Sequence, residues 1–234
     1  MAVANPNNPG TTFMRSSYPT ETWTMRRRRA TPEIDQTSPP HPEGWHRYDF
    51  RDQFPDIRSL VLTIGTLGKD LVGVELGLYR AESFCTLLQC CPNIKTLYGV
   101  DSWVAYDDYI GTDGTRAGKK TTIPEMDLVR ETALNFVYFS GEAHRAEILE
   151  MDTSEAVQQF EDDSLDFVFL DAYLSIEQAQ RELNEWWPKV KKGGLFSGHD
   201  WNDKGIRQTV RNFIKENDPD ATWCAYDATW AWIK

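Results

Sequence analysis

A chain of 234 residues with 40% hydrophobic content is long enough for one substantial core, alone or with a tail. Its formal net charge of −11 repels phosphates at long range and argues against a nucleic-acid partner, leaving solubility as the ordinary reading of the charge. No apolar run approaches the length of a membrane span, and the first residues lack the apolar segment of a secretory signal.

Residues 1–45 are rich in Pro, Asn, Thr, Ser and Arg and poor in aliphatics. Such a segment buries too little apolar surface to offset its ordering entropy, so it reads as a flexible N-terminal arm ahead of a globular domain over 46–234. Arg26–Arg29 form a run of four arginines within it, and Glu21 is the only acid before Thr31. A solvated charge cluster is the ordinary reading; contact with an acidic partner surface and an organelle-targeting role stay open. Cys85, Cys90, Cys91 and Cys224 form no C-x-x-C pair and no zinc spacing. Cys85 and Cys90 fall in an apolar helical stretch, where cysteine acts as a small core residue. This usage fits a reducing compartment and a cytoplasmic location.

From Tyr48 the pattern turns globular. Phe54, Ile57, Leu60, Val61 and Ile64 recur at helical spacing and predict an amphipathic opening helix. Strands are expected at Leu71–Leu76, Thr96–Val100, Ala146–Met151, Asp166–Leu170 and Gly194–Gly198. Helices are expected between and after them, near Ala81–Cys91, Ile123–Phe139, Ser154–Phe160, Ile176–Val190 and Gly205–Glu216. This alternation indicates βαβ units and a parallel sheet covered on both faces. Thr222–Tyr226 and Thr229–Ile233 are separated by two residues and predict an antiparallel hairpin. The polar stretch Tyr106–Lys120 is too long for an ordinary connection and reads as a disordered loop or as a lid over a site.

Ligands of open parallel sheets bind at the carboxyl ends of the strands, near the switch in strand order. Those ends carry Glu75 with Gly77, then Asp101, Asp152, Asp171, and His199 with Asp200. Any one carboxylate can simply cap the helix that follows, but five at equivalent places would make one edge strongly negative. Gly77 lets backbone approach a ligand at a helix amino end, or merely makes a tight turn. Asp101, at the second strand end, suits both hydroxyls of a ribose and so indicates a nucleoside. His199 suits a general base, because an imidazole titrates near about 6.5; a hydrogen-bonded structural histidine is the alternative.

The succession VELGLYRAES, LYGVDSW, EILEMDTSEA, LDFVFLDAYLSIEQAQRELNEWWPKVKKGGLFSGHDWN and GIRQTVRNFI resembles the class I S-adenosylmethionine-dependent methyltransferases over about residues 50–234. It is most similar to the small-domain group with an aspartate after the fourth strand and Gly-His-Asp after the fifth. The resemblance implies a Rossmann-like, doubly wound α/β fold. Its mostly parallel seven-stranded sheet has the order 3-2-1-4-5-7-6, the closing hairpin supplying the reversed last strand.

The resemblance also implies S-adenosylmethionine as cofactor. Glu75, Gly77 and Tyr79 would line its amino-acid end, Asp101, Ser102 and Trp103 its ribose, and Asp152 and Thr153 its adenine. Asp171 would face the cofactor's amino group or the reaction centre, with His199 and Asp171 as the catalytic pair. A divalent metal, magnesium first, would sit on Asp171 and Asp200 with His199 nearby. The acceptor would be a small molecule or a glycan, and a homo-oligomer is left open. Trp103, Tyr173 and Trp201 offer aromatic faces for cation–π attraction or for plain packing.

Three positions depart from the group's pattern. Ala81 stands where a further glycine is common, Leu174 where a histidine follows the fourth-strand aspartate, and Tyr79 with Arg80 crowd a turn that is often small. These departures motivate a second hypothesis, a cofactor- or partner-binding module without catalysis. A third, a nucleotide-sugar or NAD enzyme, is opposed by the lack of a full G-x-G-x-x-G.

Overall fold

The computed structural model describes residues 3–4, 12–13, 49–51, 57–105, 123–172, 175–226 and 228–234. Residues Met1–Ser38 and Pro39–Lys234 form two separate units. In the first, Val3–Ala4 pairs antiparallel with Thr12–Phe13. The rest of the expected N-terminal arm with its arginine run, Phe54 and the Tyr106–Lys120 stretch lie outside the described residues.

The second unit is a seven-stranded sheet wrapped by helices. Its strands are β1 Leu71–Leu76, β2 Ile94–Asp101, β3 Ala146–Glu150, β4 Leu165–Leu170, β5 Val190–Gly198, β6 Trp223–Tyr226 and β7 Thr229–Ile233. Its helices are α1 Arg58–Ile64, α2 Glu82–Cys90, α3 Ile123–Phe139, α4 Thr153–Ala156, α5 Ile176–Trp186 and α6 Lys204–Asn217. The strand order is β3-β2-β1-β4-β5-β7-β6. β1 to β5 run parallel, β7 pairs antiparallel with both β5 and β6, and Trp223 faces Trp232 across the hairpin. This is the order 3-2-1-4-5-7-6 expected from the sequence.

The period of two in the strands sorts side chains between two cores. In β4, Phe167 and Phe169 enter one core, with Leu60 and Ile64 of α1, Phe84 and Leu88 of α2 and Val137 of α3. Val168 and Leu170 enter the other, with Ala156 of α4, Leu183 and Trp186 of α5 and Phe213 of α6. The second core is strongly aromatic. Trp187 stacks on Trp232 at 3.8 Å between ring centres, and Phe196 meets Trp230 edge to face at 5.6 Å. Truncating the buried ring of Phe196, Trp230 or Trp232 to alanine costs about 3–5 kcal/mol.

α5 and α6 start where the sequence provides side-chain caps. Asp203 accepts from the N–H groups of Gly205 and Ile206, and Ser175 accepts from Gln178 N–H. Several expected boundaries shift by one to four residues, and the two ahead of β5 have a clear physical cause. The helix expected through Val190 ends at Trp186 and passes through a 3-10 turn over Trp187–Lys189 that contains Pro188. β5 therefore begins at Val190 instead of Gly194. Its Lys191–Gly194 stretch bulges, since Val190 pairs with Leu165 and Leu195 already with Phe167. Cys85 and Cys91 are buried, and burial pushes the Cys91 thiol up to about 12. Among the described residues, no helix is long and apolar enough to cross a membrane.

Candidate active site

The site is built where β1, β4 and β5 end side by side. Sheet pairing continues one residue past each strand. Gly77 N–H donates to Val100 O at 2.8 Å, Asp171 N–H to Leu76 O at 2.8 Å and His199 N–H to Leu170 O at 2.9 Å. The chain then turns away, leaving Gly77, Asp171 and His199 along one edge. A cavity of about 230 Å³ lies against them. Tyr79 and Ser83 also line it, and so do Ile57, Leu78 and Glu82.

Gly77 sits at φ +82°, where a side chain is strained. A Cβ there would come 2.4 Å from Asp171 O and 2.7 Å from Ala172 Cα. The glycine is thus required by the passage of the β4 end behind it. Ala81 occupies the left-handed region at φ +61° and is fully buried, so the methyl group is accommodated at the place where glycine is common. Tyr79 is left-handed too, at φ +48°.

Glu75 lies directly behind this turn and is fully buried. Ser83 Oγ donates to its Oε1, while Oε2 has no hydrogen-bond partner among the described residues. Burial, reinforced by the charge of Asp171, pushes the carboxyl up to about 8; Ser83 and His199 act in the opposite sense. Asp171, His199 and Asp200 cluster beside it. His199 Nδ1 lies 3.5 Å from Asp171 Oδ1 and 3.4 Å from Asp200 Oδ1. One ligand atom from each of the three falls within 4.8 Å of the others. Two carboxylates and an imidazole at that spacing fit a divalent cation. A buried acid and two further carboxylates likewise suit a cationic organic cofactor.

The carboxylates after β2 and β3 behave differently. Asp101 turns back on the β1–α2 turn, its Oδ2 accepting from Leu78 N–H at 2.9 Å and Tyr79 N–H at 2.8 Å. Its Oδ1 accepts from Trp103 N–H at 2.8 Å. Burial raises its pKa against the pull of these three bonds. Trp103 Nε1 closes the arrangement by donating to Tyr79 O at 2.9 Å, and Ser102 is half-buried between. Asp152 caps α4, accepting from Ser154 N–H at 2.9 Å and Ser154 Oγ at 2.6 Å, and these bonds hold its pKa below the usual range. Thr153 points inward, its Oγ1 donating to Glu182.

The structure therefore brings Gly77, Tyr79, Asp171 and His199 around one cavity, with Glu75 behind and Asp200 beside. Asp101, Ser102, Trp103, Asp152 and Thr153 do not line that cavity. Trp201 packs against Trp223 at 5.3 Å, with Arg211 over both rings. Tyr173 and Leu174 lie outside the described residues. Sequence reasoning missed Ile57, Leu78, Glu82 and Ser83 as lining residues, and it missed Glu182. Only Glu182 left a signal: it stands on the apolar stripe of α5, between Ala179 and Trp186.

A family model described as a methyltransferase domain matches residues 74–201, more than half of the chain. No curated protein sequence matches. Solved structures are similar in fold. An O-methyltransferase from Streptomyces achromogenes involved in tomaymycin synthesis, in complex with S-adenosylmethionine, is 16% identical with a TM-score of 0.54, over 77% of this chain and 80% of that one. An O-methyltransferase from Bacillus cereus in complex with S-adenosylhomocysteine is 14% identical with a TM-score of 0.53, over 75% and 79%. A cofactor-bound protein from MTB is 14% identical with a TM-score of 0.54, over 81% and 83%. At these identities the likeness shows the fold alone. Family match and strand order agree: the chain belongs to the methyltransferase-domain family and has the class I fold of the S-adenosylmethionine-dependent methyltransferases.

Proposed function

We propose that this protein transfers a methyl group from S-adenosylmethionine to a hydroxyl oxygen of a small-molecule or glycan acceptor. The observation that carries the reading is the single cavity shared by Gly77, Tyr79, Asp171 and His199, with buried Glu75 behind it. When bound, S-adenosylmethionine supplies a methyl group already activated on a sulfonium. Glu75 and the Gly77–Tyr79 turn hold the amino-acid end. Asp101 reaches the ribose: a carboxylate offers about four acceptor positions, and the three backbone bonds leave one for a hydroxyl. Ser102 and Trp103 complete that wall. The loops after β3 and β4, with Asp152 and Thr153 on one side and Ala172 on the other, flank the adenine.

Catalysis on an activated methyl group is mainly a matter of position and field. Asp171 faces the reaction centre and favours positive charge there. His199 presents Nδ1 to Asp171 and Asp200, so Nε2 is the atom that takes the acceptor's hydroxyl proton as the carbon–oxygen bond forms and the carbon–sulfur bond breaks. Asp171 and Asp200 would hold a divalent cation, two carboxylates favouring magnesium, with His199 beside it as the base. A bound cation would supply charge that lowers the pKa of the acceptor hydroxyl.

The test is methyl transfer to a panel of phenols, aliphatic alcohols and glycans, before and after dialysis against chelator. His199→Ala and Asp171→Ala are each expected to lower kcat about 10²–10⁴-fold. Near-normal turnover in both variants rejects the site assignment, and cofactor binding without transfer to any acceptor supports the non-catalytic module instead.

A further inference from the structure

Glu182 is fully buried on the face of α5 that presents Ala179, Leu183 and Trp186 to the core. An apolar side chain would pack there without the desolvation that a carboxylate carries. The position makes sense through what the carboxylate joins. Its Oε1 accepts from Thr153 Oγ1 at 2.7 Å and from Gln178 Nε2 at 2.9 Å. Gln178 Nε2 also donates to Ala172 O at 2.8 Å. Thr153 opens α4 immediately beyond the β3 end, and Ala172 follows Asp171 beyond the β4 end. In the sheet, β2 and β1 separate β3 from β4, so no ladder hydrogen bond ties these two ends together. The chain Thr153–Glu182–Gln178–Ala172 supplies that tie through side chains.

We propose that Glu182 is a positioning residue for the nucleoside end of the cofactor, fixing through Thr153, Gln178 and Ala172 the separation of the two loops that flank the adenine. The proposal rests on the reading of this edge as an adenosyl site. Gln178 on its own helix and Thr153 at the start of α4 hydrogen-bond the carboxylate, while Arg181 and Asp152 act on it only through their charges, in opposite senses. Burial pushes the carboxyl up to about 7, against the hydrogen bonds of Gln178 and Thr153. Oε2 has no partner among the described residues, which is the cost of placing an acid at the junction.

The test uses the full chain and two probes, S-adenosylhomocysteine and adenosine, titrated by calorimetry at a temperature where circular dichroism shows each variant folded. Glu182→Leu removes the bridge, Thr153→Val removes its hydroxyl donor with little change of shape, and Glu182→Gln keeps the accepting oxygen. Leu at 182 and Val at 153 are expected to raise Kd for both probes about tenfold, with Glu182→Gln staying within about threefold of wild type. That rescue separates positioning from a general loss of packing. If Glu182→Leu does not fold, Thr153→Val and Glu182→Gln decide. Wild-type affinity for both probes in folded Thr153→Val overturns the proposal alone. Failure of the wild type to bind S-adenosylhomocysteine overturns the site reading and this proposal together.

Discussion

The carboxyl edge of the sheet divides into two halves that use the same residue type for different ends. At the ends of β1, β4 and β5, acids and a histidine gather around a cavity, and one of the acids, Glu75, is buried with an oxygen that no hydrogen bond satisfies among the described residues. At the ends of β2 and β3, Asp101 and Asp152 are occupied by backbone N–H groups of their own neighbourhood. The first half holds electrostatic tension that a cationic ligand would relieve. The second half shapes and fixes the loops against which, on the proposed reading, such a ligand would rest. A strand-end carboxylate therefore has to be read from its partners, since the sequence position is the same in both halves.

Three substitutions test this division. Gly77→Ala carries the largest expected effect: the added methyl meets Asp171 O and the left-handed backbone is strained, so stability should fall by about 3 kcal/mol or more in urea unfolding. An unchanged midpoint would show that the β1 and β4 ends are not in the close approach described. Glu75→Gln isolates the tension. Because the folded-state pKa of Glu75 is raised from 4.5 to about 8, its contribution is present below 4.5 and is lost as pH rises through about 8. Wild type should thus lose stability relative to Glu75→Gln across that window, on the order of a few kcal/mol. Parallel stability–pH curves for the two proteins would remove Glu75 from the account. Asp101→Asn leaves one accepting oxygen where two now serve three donors, and should cost about 2 kcal/mol by thermal or urea unfolding. A neutral result there would mean that the β1–α2 turn holds without its clamp.

Much of the fold was legible because it rests on local patterns. Leu71–Leu76 and Ile123–Phe139 have the expected bounds, and the short spacing before Thr229 fixes the hairpin. The β5 start was misplaced because Val190 both follows a helical pattern and precedes the bulge at Lys191–Gly194, and only pairing with β4 decides between them. The site was legible as a set of strand ends, but not in its partnerships. Nothing in the spacing of Asp101 says that its oxygens turn back to Leu78 and Tyr79. Nothing near Glu75 says that Ser83 reaches it from the first turn of α2. Glu182 shows the limit most clearly: its place on an apolar stripe marks it as unusual, but its role depends on Thr153 and Ala172, which are distant in sequence and adjacent only after folding.

The central claim is that this edge of the sheet takes one adenosyl cofactor. Calorimetric titration of the full chain with S-adenosylhomocysteine, alongside NAD, tests it most directly. The account predicts saturable binding of one S-adenosylhomocysteine per chain and none of NAD. Absence of saturable binding, or equal binding of NAD, would contradict it.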